Sequence, residues 1–161
     1  MITILYSESD YSAADIAIKV QAIAQGKGTK IYIVPKHYGR IEENVYKNLR
    51  KSTIVLFLAY DKTKIDNSTR KELEFLINKG KNIYSIIPVN MELPIINKSQ
   101  NIKIIQYHKK GKIEFVNEIK NILSKLVLKN RSRQRDKDFI GLIGFLLISI
   151  LLLELFPGSK K

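Results

Sequence analysis

The chain has 161 residues, room for one domain and a short appendage. Its 28 Lys and Arg against 15 Asp and Glu give a formal net charge of +13. The absence of Cys excludes a disulfide-stapled scaffold and a Cys-ligated zinc site, and two His, His37 and His108, argue against a His-rich metal centre. A mean hydropathy of −0.11 reads as soluble, but the average hides an apolar concentration near the C-terminal end.

Strand and helix patterns alternate over the first 128 residues. Residues 2–6 (ITILY) predict a short apolar strand. Ser12 to Asp15 reads as a capping box ahead of Ile16, Val20, Ile23 and Ala24, which recur at helical spacing; Gly26 and Gly28 stop that helix. Residues 30–34 (KIYIV) predict a second strand closed by Pro35. Ile41, Val45 and Leu49 mark a short helix by their four-residue spacing. The continuous apolar run 53–59 (TIVLFLA) predicts a central strand covered on both faces. The polar stretch 61–68 leads into a helix bearing Leu73, Leu76 and Ile77, ended by Gly80. Residues 83–89 (IYSIIPV) and 103–107 (KIIQY) predict the last two strands. Phe115, Val116, Ile119, Ile122, Leu123 and Leu126 then line one side of a long helix.

Five strands separated by helical segments predict an α/β domain over 1–124, with a doubly wound, five-stranded parallel sheet. In the link 90–102, Met-Glu-Leu-Pro-Ile-Ile-Asn reads as a loop or a single helical turn, not a full crossover helix.

Two segments follow the domain. Residues 125–138 hold six basic residues, Lys125, Lys129, Arg131, Arg133, Arg135 and Lys137, and two acidic ones. Residues 139–156 (FIGLIGFLLISILLLELF) include 14 Phe, Ile or Leu and a single charge, Glu154. As a helix this run spans about 27 Å, close to bilayer thickness. Its apolar side chains contribute on the order of −4 to −8 kcal/mol to insertion, more than one acid near an end costs. A buried core helix would show a polar face, and this run has none. It predicts a single membrane span followed by a short basic tail, 157–161. Gly141 and Gly144 share one side of that helix and permit close helix approach. Six basic residues before the span and two after it predict a cytoplasmic N-terminal domain at the cell membrane. The juxtamembrane net charge of six minus two gains roughly 4 kcal/mol at an anionic leaflet, so an anionic phospholipid surface is the expected partner, ahead of nucleic acid.

In open α/β sheets the ligand crevice lies beyond the C-terminal strand ends. That rule brings forward Ser7, Glu8 and Asp10 after strand one, His37 to Arg40 after strand two, and Tyr60 and Asp61 after strand three, with Glu72 nearby on the next helix. The candidate crevice residues are therefore Ser7, Asp10, Arg40 and Tyr60.

Three pieces of the sequence resemble the Toll/interleukin receptor (TIR) family. Leu5-Tyr6-Ser7 followed by Asp10 looks like its opening strand. Residues 39–52 (GRIEENVYKNLRKS) running into TIVLFLA are similar to its second helix and third strand. Arg70-Lys71-Glu72-Leu73, with Gly80-Lys81 and Ile87-Pro88-Val89, matches its Lys-Glu-Leu to Ile-Pro-Val pattern. The resemblance implies a flavodoxin-like strand order 2-1-3-4-5 and a domain that self-associates. In TIR enzymes that cleave the nicotinamide–ribose bond of NAD, the Glu of this motif is catalytic, a role that falls on Glu72. Ser68 stands where the family usually has a Trp, and the loop 35–40 is shorter than the family's substrate-covering loop. A solvated helix-start charge is the alternative for Glu72.

Receiver domains share the strand order, and Glu8, Asp10, Asp61 and Lys109 imitate their acidic and Lys set, although the adjacent acidic pair is absent. The arrangement as a whole resembles small TIR-like membrane effectors of prokaryotic antiviral defence, including those triggered by short Argonaute complexes. It implies a homo-oligomeric effector without a cofactor, which depolarises the membrane when its spans cluster. The alternatives are a membrane-tethered NAD hydrolase and a docking adaptor.

Overall fold

The computed structural model describes residues 1–26, 30–37, 40–60, 65–89, 91–93 and 101–107. At its centre is β3 (Ile54–Leu58), whose five residues are all buried, as a strand covered on both faces requires. β1 (Ile2–Tyr6) and β4 (Asn82–Pro88) flank it, and β2 (Ile31–Ile33) and β5 (Ile102–Tyr107) form the edges. The sheet is parallel throughout, in the order β2-β1-β3-β4-β5. The predicted five-stranded α/β sheet is thus present, and its order is compatible with a TIR-like fold.

Alternation along the strands splits the core in two. Ile4, Tyr6, Leu56, Leu58 and Ile86 pack on one face with Ala13, Ala17 and Val20 of α1 (Tyr11–Gly26). Leu5, Val55, Phe57, Ile83 and Ile87 pack on the other with Val45 and Leu49 of α2 (Glu42–Lys51) and Leu73 and Leu76 of α3 (Asn67–Asn78). A period of two in the strands feeds a period near four in the helices, so each face finds an apolar stripe to cover it.

The helix ends differ from expectation in two places. The first helix starts at Tyr11, ahead of the expected box at Ser12. Asp10 caps it, since Asp10 Oδ1 accepts from the Ala13 amide at 2.9 Å. This pattern, an aspartate bonded to the amide three residues on, satisfies a donor the helix cannot. In α2 the apolar spacing holds for Val45 and Leu49, but Ile41 lies at the cap with 58% of its surface exposed. α3 ends as the sequence suggests. Gly80 has φ +62, its amide donates to Ile77 O at 2.9 Å, and the Lys81 amide donates to Leu76 O at 3.0 Å. Those two bonds define a Schellman cap, which favours glycine at the left-handed position.

The expectations placed on Gly39, Asp61, His108, Lys109, the helix 115–126, the basic segment 125–138, the apolar run 139–156 and the tail 157–161 lie outside the described residues. Among the described residues no helix is long and apolar enough to cross a membrane.

Candidate functional site

The C-terminal ends of β1, β2 and β3 meet the first turns of α3 in a layer of polar side chains. It begins at Asp66, the N-cap of α3. Asp66 Oδ1 accepts from the Thr69 amide (2.8 Å) and the Ser68 hydroxyl (2.6 Å). Oδ2 accepts from the Ser7 hydroxyl (2.9 Å) and the Glu8 amide (2.8 Å). One carboxylate therefore caps a helix and ties it to the segment leaving β1. Burial pushes the Asp66 pKa up, but the bonds from Ser68, Thr69 and Glu8 outweigh it and hold the group well below the usual carboxylate range.

Beneath this cap lies a buried ion cluster. Glu72 is wholly shielded from solvent, and so is the side chain of Lys36. Lys36 Nζ donates to Glu72 Oε2 at 2.5 Å and to the Thr69 hydroxyl at 2.8 Å. Having accepted that bond, Thr69 has one proton to give, shared between Tyr6 O (3.1 Å) and Asp66 Oδ2 (2.7 Å). The second oxygen of Glu72 faces Arg40, whose Nη2 lies 2.7 Å away. This contact is a close ion pair set off the N–H direction, so Oε1 receives charge compensation without an aligned hydrogen bond.

Arg40 in turn bridges outward. Its Nε donates to Glu42 at 2.7 Å and its Nη1 to Pro35 O at 2.9 Å. The Glu42 bond, ahead of opposing burial, raises the Arg40 pKa further, and the guanidinium lowers that of Glu42. Burial pulls the Lys36 pKa down, while the charge and hydrogen bond of Glu72 oppose the shift.

Of the residues named from sequence, Ser7, Arg40 and Glu72 thus belong to one network. Asp10 and Tyr60 form a separate joint. Asp10 is buried and its Oδ2 accepts from the Tyr60 amide at 2.7 Å, while the Tyr107 hydroxyl is shared between Ala59 O (2.8 Å) and Tyr60 O (2.7 Å). This joint locks the end of β3 to α1 and β5. With both Asp10 oxygens given to backbone amides and Glu8 exposed beside His37 (Nδ1 to Oε1, 3.5 Å), the two acids do not converge on a receiver-type cation site. Among the described residues no cluster of His, Asp or Glu is arranged to hold a metal ion.

Lys36, Asp66 and Thr69 were not among the site residues expected from sequence. Lys36 follows Pro35 at a strand end, where a lysine ordinarily points to water, and nothing local signals that it turns inward. Thr69 and Glu72 carried a signal. Positions 69, 72, 73 and 76 are spaced i, i+3, i+4, i+7, the buried stripe of a helix, and all four are buried. Glu72 is therefore a core-facing residue, where the alternative reading had a solvated charge.

Chemically, the cluster offers a carboxylate flanked by two cations and no solvent. A ribose hydroxyl cannot reach Glu72 while Lys36 and Arg40 occupy both its oxygens. What the arrangement does in this state is join β1, β2 and α3. No family model matches the chain, and no curated protein is significantly similar to it.

Proposed function

We propose that the chain is a membrane-anchored effector of antiviral defence. Its TIR-like domain self-associates on activation, and the clustered spans 139–156 depolarise the cell membrane. The observation that carries this reading is the run 139–156, long enough to cross a bilayer, directly preceded by the basic residues of 125–138. One span cannot enclose a channel, so the mechanism requires several copies. The basic segment holds anionic phospholipid, the N-terminal domain faces the cytoplasm, and an upstream complex such as a short Argonaute supplies the trigger. Killing the infected cell in this way is abortive infection.

The state of Glu72 favours this reading over NAD hydrolysis. A catalytic carboxylate must meet its substrate, whereas this one is buried and neutralised by Lys36 and Arg40. The domain then serves as a rigid head whose assembly, not its chemistry, transmits the signal.

The test is to follow membrane potential and NAD together in cells expressing the chain. Expected is loss of potential with NAD maintained, abolished by replacing Leu147 and Leu151 with Arg. Loss of NAD with the potential intact, abolished by substituting Glu72, would overturn the proposal in favour of the hydrolase. No toxicity under any trigger would favour an adaptor. For the lipid contact, the chain lacking 139–156 should bind anionic but not neutral vesicles; equal binding to both, or binding retained after neutralising Arg131, Arg133 and Arg135, would refute it.

A further inference from the structure

The two edges of the sheet differ in how they are protected. β2 has three residues and is followed two positions later by Pro35, a short edge of the kind that resists pairing. β5 has six residues, IKIIQY, with neither Gly nor Pro. Its pairing with β4 fixes which way its backbone groups point. The Ile83 amide donates to Asn101 O at 3.0 Å and the Val89 amide to Tyr107 O at 2.7 Å. In a parallel ladder successive residues alternate sides, so 101, 103, 105 and 107 serve β4 and Ile102, Ile104 and Gln106 aim outward. Among the described residues nothing pairs with these three. Ile104 is 46% exposed and Gln106 is exposed.

We propose that this edge pairs with itself: two copies of the chain join their sheets through antiparallel β5–β5 pairing centred on Ile104. The occupant follows from self-complementarity. A two-fold axis normal to the sheet keeps each face on its own side, so facing residues must have the same parity. Centring on Ile104 sets Ile104 opposite Ile104 and Ile102 opposite Gln106 in both directions. All three outward-facing residues then exchange both N–H and C=O bonds with the partner strand. The half-exposed Ile104 side chains meet on one face as an aliphatic cross-strand pair. Lysine is the usual guard of such an edge, but Lys103 leans over the Tyr84 ring at 5.3 Å. In this register it lies opposite Ile105, so no like charges face each other. The inference deepens the proposed clustering and rests on it for its consequence, since joined heads bring two spans together.

The chain contains no cysteine, which makes the register directly readable. The full chain carrying Ile104→Cys is reconstituted in phosphatidylglycerol–phosphatidylcholine vesicles under mild oxidation, with Gln106→Cys as comparison. Facing residues of a hydrogen-bonded antiparallel pair stand about 5.5 Å apart at Cα, within disulfide reach. Two Gln106 positions stand roughly 14 Å apart, beyond it. The expected result is a disulfide dimer for Ile104→Cys, rising with protein-to-lipid ratio, and little for Gln106→Cys. Adding Gln106→Pro to Ile104→Cys removes an outward N–H without touching the bonds to β4, and should lower the yield roughly tenfold. No dimer at any density, equal yields at both positions, or no effect of the proline overturns the pairing. Vesicle potential measured on the same samples separates the two ideas. Potential lost without the cross-link refutes the pairing and keeps the membrane reading; the cross-link without lost potential supports the pairing and refutes that reading.

Discussion

Replacing Glu72 by Gln is the sharpest probe of the buried cluster, because it removes a charge and almost no volume. Lys36 Nζ would remain with its Thr69 bond and a neutral amide, beside the Arg40 guanidinium and out of water. Breaking a buried pair by removing one partner costs about 3–5 kcal/mol. Taking ~3 kcal/mol and an unfolding entropy of about 2.1 cal/mol/K per residue over residues 1–107, the melting temperature falls by about 13 °C. Removing both charges is different. The double substitution Lys36→Met with Glu72→Leu removes both wholly buried ions, leaves Arg40 its Glu42 and Pro35 partners and fills the space with apolar atoms, so it should cost about 1–2 kcal/mol less than the single change. Thermal unfolding followed by circular dichroism distinguishes the two, and the single variants Lys36→Met and Glu72→Leu close the cycle that isolates the coupling. A Glu72→Gln protein that melts within about 3 °C of the parent, or a double variant as unstable as the single one, would refute the reasoning. The double variant also serves the functional question, since it lacks the carboxylate with less instability. Depolarisation surviving in it would separate the membrane mechanism from hydrolysis.

Asp66 should govern the acid limb of stability. Its folded pKa lies below the unfolded value of 3.8, so its contribution is complete above about pH 4 and drains away as pH falls toward the folded value. Urea midpoints measured between pH 7 and 2 should therefore decline below pH 4 in the parent. Asp66→Asn should start lower at pH 7 and decline less; an equally steep profile would point to other carboxylates. Asp10→Ala removes the cap of α1 and orphans the buried Tyr60 amide. The cap is worth ~1 kcal/mol and the unsatisfied donor about 1–3, giving roughly 2–4 kcal/mol in denaturant unfolding. Faster hydrogen exchange at Ala13 and Tyr60 should accompany that loss, and unchanged exchange at Tyr60 would rule out the joint.

Much of the architecture was legible because it depends on local periodicity. The apolar run through β3 announced a strand buried on both faces, and Gly80 announced the end of α3 because few other residues tolerate its φ. Val45 and Leu49 marked the buried side of α2. Ile41, at the same spacing, did not, since the helix begins one residue after it and its side chain leaves the stripe. The cap of α1 was misplaced for a related reason. Several residues in Ser7 to Asp15 can cap, and the choice of Asp10 is made by Tyr60, fifty positions away.

The candidate site was legible only in part. Its place at the C-terminal strand ends follows from chain direction in a parallel sheet, and Ser7, Arg40 and Glu72 were found there. Their relations were not legible, because ion pairs across 36 residues (Lys36 to Glu72) leave no local trace. The sequence by itself determined the alternation of elements, the two-faced core and the separation of an ordinary α/β head from a basic and then apolar tail. Only the tertiary structure decided that Lys36 turns inward, that Glu72 is locked rather than offered, and that β5 is an edge with no strand beyond it among the described residues. Periodicity is a property of neighbours in the chain, whereas charge compensation and edge exposure belong to neighbours in space.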